Sequence, residues 1–263
     1  MAKKISDLAA AAAIKGDELL ELVQSGTNVK VLAGGLLTPG YIDGLKMVYV
    51  SGNALTARSG AAFIPGLGRV LFSPADITLT GVALSASTWY HAYLYLNGAV
   101  PALELVTTAP AAPYSGTARV KTGDTSRRYI GSAKTNAAAA IIKFFHYART
   151  GTVKYLQDIN TAPLSLLAGG SALTDTPVSA AAVVPVTSTI MYGFAENGST
   201  AAVAYLSNPD VGAPANTNIL EFLRAKAVCY GEFALSSDQR FSYMLNGADT
   251  GLTVWCNGYV YER

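Results

Sequence analysis

From Leu45 onward the chain repeats one pattern: a short run rich in Val, Ile, Leu, Tyr, Phe and Thr, then a cluster of turn-forming residues. The runs include "LKMVYVSGNALTA", "RVLFSPADITLTGVALSA", "TWYHAYLYLNG", "ALELVTTAPAAP", "RRYIGSAKTN" and "IIKFFHYARTGTVKYL". No amphipathic helical stretch of about 10 to 15 residues separates them, which predicts a mainly β protein built of antiparallel, sandwich-like modules. In "ITLTGVALSA" the alternation turns Ile77, Leu79, Val82 and Leu84 toward a core and the threonines and serines toward water. One stretch departs from the pattern. In "NTNILEFLRAKAVCYGE", Leu220, Leu223 and Ala227 fall at helical spacing and predict one short helix near 218–227.

The opening has a different texture. In "GDELLELVQSGTNVKV", Leu19, Leu20 and Val23 would share one face of a helix, whereas Leu20 and Leu22, then Val29 and Val31, alternate as in a strand pair. Ser25, Gly26 and Asn28 punctuate the run, which favours a hairpin. The composition shifts again at "GGLLTPG", and three segments are expected: an N-terminal arm (1–38), a first β module (39–162) and a second (163–263). The two modules look related. Ser87, Thr88 and Tyr90 precede "YLYLNG", and about 100 residues later Ser188, Thr189 and Tyr192 precede "GFAENG".

Charge and composition exclude several classes. Among 263 residues, 19 are basic and 17 acidic, a net charge of +2, so no whole-chain field draws in nucleic acid. No run of about 18 apolar residues suits a membrane span. The apolar run after Lys3 and Lys4 is broken by Ser6, Asp7, Lys15, Gly16 and Asp17, so neither a signal peptide nor membrane insertion is expected. The two cysteines, Cys229 and Cys256, have no zinc-type spacing and read as buried free thiols.

Catalytic chemistry has little to draw on. His91 and His146 are the only histidines, and His91 reads as a hydrogen-bonded strand residue rather than a base. Nucleophile-elbow, phosphate-loop, zinc-protease and EF-hand motifs are missing. Glu104, Asp124, Asp158 and Glu196 are carboxylates that a fold might bring together, but their spacing nominates no glycosidase pair. The expectation is a protein that is not an enzyme and uses no metal and no cofactor. The densest charge lies in "TARVKTGDTSRRYIGSAKT", where Gly123 and Asp124 turn the chain between an arm with Arg119 and Lys121 and one with Arg127, Arg128 and Lys134. Such arginines can grip an anionic saccharide. Structural ion pairing of Asp124, Arg127 and Arg128, locally or across a subunit boundary, is the preferred reading.

Two segments resemble tailed-bacteriophage tail fibre and tail spike proteins. In "KISDLAAAAAIKGDELLELVQSGTNVKVLAGGLL", Ile5, Leu8, Gly16, Asp17, Glu18, Leu19, Glu21, Val23, Gln24, Asn28, Lys30 and Val31 fit the N-terminal pattern of that group, with Ala9 where proline is usual. "ARVKTGDTSRRYIGSAKTN" is similar to a segment found in the same kind of protein. The resemblance implies a structural virion component: a fibre, collar or baseplate appendage, made in the bacterial host cytoplasm and located in the virion. It implies attachment to other virion proteins through Ile5, Leu8, Leu19, Leu20, Leu22, Val23, Val29 and Val31, a homotrimer, and a part in host attachment through a surface glycan. The alternative is a carbohydrate-binding or carbohydrate-cleaving protein.

Overall fold

The computed structural model describes residues 19–24, 26–32, 39–147, 151–213, 219–249 and 251–263. The chain is mainly β and its strand pairs are antiparallel. β1 (Leu19–Gln24) and β2 (Thr27–Leu32) form the expected hairpin, with Leu20 opposite Val31 and Leu22 opposite Val29. Gly26, at φ 77°, supplies the left-handed residue that so tight a turn requires. These two strands pair only with each other among the described residues.

The next ten strands are β3 (Ile42–Gly44), β4 (Met47–Ser51), β5 (Ala54–Ala57), β6 (Gly60–Ile64), β7 (Arg69–Ser73), β8 (Ile77–Leu79), β9 (Trp89–Asn97), β10 (Val100–Val106), β11 (Val120–Lys121) and β12 (Asp124–Lys134). They make two three-stranded sheets, β3-β6-β7 and β4-β5-β8, and a four-stranded sheet, β10-β9-β12-β11. The last ten are β13 (Phe144–Tyr147), β14 (Thr152–Tyr155), β15 (Ser165–Gly170), β16 (Thr176–Ser179), β17 (Ile190–Asn197), β18 (Ala204–Ser207), β19 (Ile219–Leu223), β20 (Val228–Ala234), β21 (Arg240–Leu245) and β22 (Leu252–Val260). A six-stranded sheet runs β13-β14-β22-β17-β20 with β15 added on β22, and a four-stranded one runs β16-β21-β18-β19.

The sheets do not divide at residue 162. β14, from the stretch assigned to the first module, pairs with the C-terminal β22, with Val153 opposite Tyr259. The buried apolar residues form one cluster from Leu45 to Tyr261. Hydrogen bonds cross the same seam: Tyr259 Oη donates to Ser132 O at 3.1 Å, Tyr261 Oη to Ile130 O at 3.2 Å and Trp89 Nε1 to Ala181 O at 2.9 Å. Later strands therefore cover the face of β9 and β12 that would otherwise meet water. This explains why β12 is buried at every position from Arg128 to Lys134, with no alternation.

The helix expected near 218–227 is not formed. Ile219–Leu223 is β19, which pairs with β18 through Leu223 opposite Ala204 and Phe222 opposite Tyr205. The buried Asn197 side chain donates to the carbonyls of Leu223 and Arg224 at 3.0 and 3.2 Å, and the local bond there is a single turn, which Ala227 N closes onto Arg224 O at 3.0 Å. Lys226, at φ 60°, then reverses the chain into β20. A tertiary ladder has overridden a weak local period.

The internal likeness holds at two strands. β9 and β17 each follow the paired threonines, and Thr88 O accepts from Thr135 N at 3.0 Å as Thr189 O accepts from Leu235 N at 2.8 Å. It then fades, since β10 returns to β9 whereas β18 joins another sheet. Gly131 forms a bulge in β12 opposite β9. A Cβ at Gly131 would stand 2.8 Å from Met47 Sδ, so the glycine makes the space in which Met47 packs.

Candidate functional site

Of the residues expected to anchor the chain, Leu19, Leu20, Leu22 and Val23 lie on β1, and Val29 and Val31 on β2. Ile5 and Leu8 lie outside the described residues. The arginine segment folds as read, with Gly123 at φ 79° between β11 and β12. Arg127 Nε lies 3.4 Å from Glu104 Oε2 and 3.9 Å from Asp124 Oδ2, and its guanidinium stacks 3.9 Å from the Tyr95 ring. Lys121 holds Glu104 at 2.9 Å. Glu104 and Asp124 are thus brought together, but around cations. Hydrogen bonds from Ser126, together with Arg127 and Lys121, hold the Asp124 carboxyl below its ordinary value, the opposite of what a general acid needs.

Arg128 takes no carboxylate partner among the described residues. It is fully buried, donating from Nη1 to Arg119 O and Tyr129 O at 3.0 Å and from Nη2 to Gly40 O at 3.4 Å. It staples three stretches of backbone. Neither histidine is available as a base. His91 Nδ1 bonds Ser132 Oγ at 2.8 Å, and burial pushes the ring's pKa down to about 4. His146 Nδ1 accepts from Met47 N at 3.1 Å, and its Nε2 lies 2.9 Å from Tyr261 Oη; burial, with Arg263 and Lys46 nearby, lowers it to about 3. Burial also raises the free thiols, Cys229 to about 11 and Cys256 to about 12, which keeps both neutral. Among the described residues, no group of three His, Cys, Asp or Glu side chains is placed to hold a metal ion.

The most developed polar constellation lies elsewhere, on the outer face of the six-stranded sheet. Register places Phe145, Lys154, Gly258, Tyr192 and Glu232 in one row across β13, β14, β22, β17 and β20. Residues directly opposite in adjacent strands share a face, so this row presents its side chains together. Gly258 is the gap that makes the row work: a Cβ there would stand 3.0 Å from Lys154 Cδ. Without it, Lys154 Nζ reaches across to lie 3.5 Å from the Tyr192 ring centre and 4.8 Å from that of Tyr230.

Hydrogen bonds then lock the cluster. Lys154 Nζ donates to Tyr230 Oη and, at 3.1 Å, to Asn257 Oδ1. Asn257 Nδ2 donates to Tyr230 Oη at 3.3 Å, and Tyr192 Oη donates to Glu232 Oε1 at 2.6 Å. Partial burial opposes ionisation of Tyr230, but the bonds from Lys154 and Asn257 outweigh it and hold the phenol below its ordinary value. The bond to Glu232 raises Tyr192.

The face is apolar as well as polar. Tyr230 is 57% exposed and Phe145 42% exposed, and Tyr147 meets Phe145 edge-on at 4.6 Å. Phe194, opposite both Tyr230 and Trp255, packs 5.3 Å from the indole. With strands about 4.8 Å apart, five of them make a strip about 19 Å across. Rings held by the Lys154 ammonium and by neighbouring rings, with amide and carboxylate groups between them, suit a ligand with flat apolar faces and a rim of hydroxyls.

Sequence reasoning passed over this site. "FFHYARTGTVKYL", "AVCYGE" and "TVWCNGYVY" show apolar strands with Lys154, Tyr230 and Asn257 far apart in the chain, and only the pairing of β14, β22, β17 and β20 collects them. No protein-family model matches the chain, and no curated protein matches it.

Proposed function

We propose that this chain is a structural component of a bacteriophage virion, an appendage anchored by its N-terminal arm, that contributes to host attachment by holding a surface glycan on the outer face of the six-stranded sheet. The observation that carries the glycan part is the row Phe145, Lys154, Tyr192 and Glu232 with Tyr230 and Asn257 beside it. A pyranose offers C–H faces to stack on aromatic rings and hydroxyls to exchange bonds with amide, ammonium and carboxylate groups. The virion part rests on the resemblance of residues 4–37 and 118–136 to tail fibre proteins. In this reading the appendage is a homotrimer that binds glycan and does not cleave it.

The test is glycan binding with envelope polysaccharide of a host strain. The double variant Tyr192→Ala, Tyr230→Ala should lose about tenfold or more in affinity, because each stacking ring contributes on the order of 1 kcal/mol. Its melting temperature should stay near that of the parent, since both rings lie on the outer face. Unchanged affinity in the double variant, or shortening of the polysaccharide by the parent protein, would refute the reading; a monomer mass by light scattering would remove the trimer from it.

A further inference from the structure

A cleft of about 320 Å³ opens where β4 and β13 meet, lined by Lys46, Arg58, Lys143, Tyr49, Phe145 and Leu156 over a floor that includes Met47 and Phe144. Three features define its chemistry. All its charged lining residues are cations. Arg58 is paired, at 2.6 Å, with Asp76, but among the described residues no carboxylate pairs with Lys46 or Lys143. The walls are aromatic: Lys46 Nζ stands 4.5 Å from the Phe145 ring centre, and Tyr49 meets Phe144 edge-on at 6.3 Å.

Two lysines line this small, partly apolar cleft, Lys46 half-buried and Lys143 exposed, and an anion bound there would meet two cations that no carboxylate among the described residues neutralises. The volume stands at the low end of small-ligand sites, room for a sugar unit and its substituents but not for a duplex or a folded partner. Position narrows the ligand further. Phe145 forms one wall of the cleft and is also the register partner of Lys154, the first cation of the glycan row. A chain lying on that row would leave its edge at Phe145 and enter the cleft directly.

We propose that the cleft between β4 and β13 binds the anionic substituent, carboxylate or phosphate, of an acidic glycan whose neighbouring sugars lie on the row Phe145–Lys154–Tyr192. The proposal rests on the glycan reading above and adds the class of glycan selected. Tyr49 and Phe145 flank the sugar ring, while Lys46 and Lys143 take the charge. Arg58 stays with Asp76 and sets the outer rim.

The experiment is isothermal titration of the full chain with three probes: a galacturonate oligomer, a phosphorylated glucosamine disaccharide and a neutral glucose oligomer. At low salt, one or both acidic probes should bind about tenfold or more tightly than the neutral one, and the preference should shrink as salt rises. The double variant Lys46→Gln, Lys143→Gln should lose that preference, while Lys46→Arg, Lys143→Arg keeps it. The two acidic arms separate a carboxylate from a phosphate ligand. Equal binding of acidic and neutral probes, equal binding of double-stranded DNA, or an acidic preference that survives the glutamine variants would overturn the proposal. If Tyr192→Ala, Tyr230→Ala abolishes binding but the glutamine variants retain the preference, the row stands and the cleft falls. The converse pattern keeps the cleft and refutes the row.

Discussion

The backbone N–H of Met47 donates to Nδ1 of His146 at 3.1 Å, a bond that ties β4 to β13 across ninety-nine positions of sequence. With Nδ1 accepting, the neutral ring carries its proton on Nε2, facing Tyr261 Oη at 2.9 Å, and Tyr261 Oη in turn donates to Ile130 O. Protonating Nδ1 would break the first link of this chain. The ring therefore works as a neutral strut at the junction that also forms the cleft.

That strut predicts an acid-labile fold. Burial lowers His146 to about 3 and His91 to about 4, while both rings titrate near 6.5 when unfolded. Between those values the unfolded chain binds more protons than the folded one, so stability falls as pH drops. It should be full above about pH 7 and decline from about 6.5 toward 4, with a slope approaching about 1.4 kcal/mol per pH unit for each histidine. Thermal melts across this range should show it, and His146→Gln should be less stable at neutral pH with a shallower slope. An identical slope in that variant would refute the assignment to His146.

Arg127 and Arg128 should differ in their effect on stability. Arg128 is wholly buried and bonds three carbonyls, so Arg128→Ala should cost about 3 kcal/mol or more through the cavity and the lost charged bonds. The Arg127 side chain is 24% exposed, and its ion pairs are screened by water, so Arg127→Ala should cost about 1 kcal/mol. Urea denaturation of the two variants checks the order. Host adsorption should fall only as far as folding is lost, and native stability with lost, salt-sensitive adsorption in either variant would mean a receptor contact instead.

Removal of residues 1–38 should leave the other sheets intact and abolish incorporation into particles. β1 and β2 pair only with each other among the described residues, so no ladder elsewhere is broken by their removal. An unchanged melting temperature, with no truncated chain in purified virions, is the expected pair of results. Normal copy number in virions would put the anchor in another part of the chain.

Much of the architecture was readable from the residue order, because each signal was local. Alternation of apolar and polar residues is a period-two property of a strand, and Gly26 and Gly123 mark turns by a backbone conformation that other residues resist. The β class, the N-terminal hairpin and the turn between β11 and β12 follow from such signals. Local spacing also misled at Leu220, Leu223 and Ala227, where β18 and the Asn197 side chain supplied partners that no window of sequence contains. The ladder that crosses residue 162 was hidden for the same reason, since β14 pairs with β22, about one hundred residues later, as well as with β13. Only the tertiary structure decided which residues meet on the outer sheet face and in the cleft. Lys154 touches Tyr192 and Tyr230 because sheet register aligns four strands and Gly258 leaves the space between them, and register is a property of pairing rather than of any one strand.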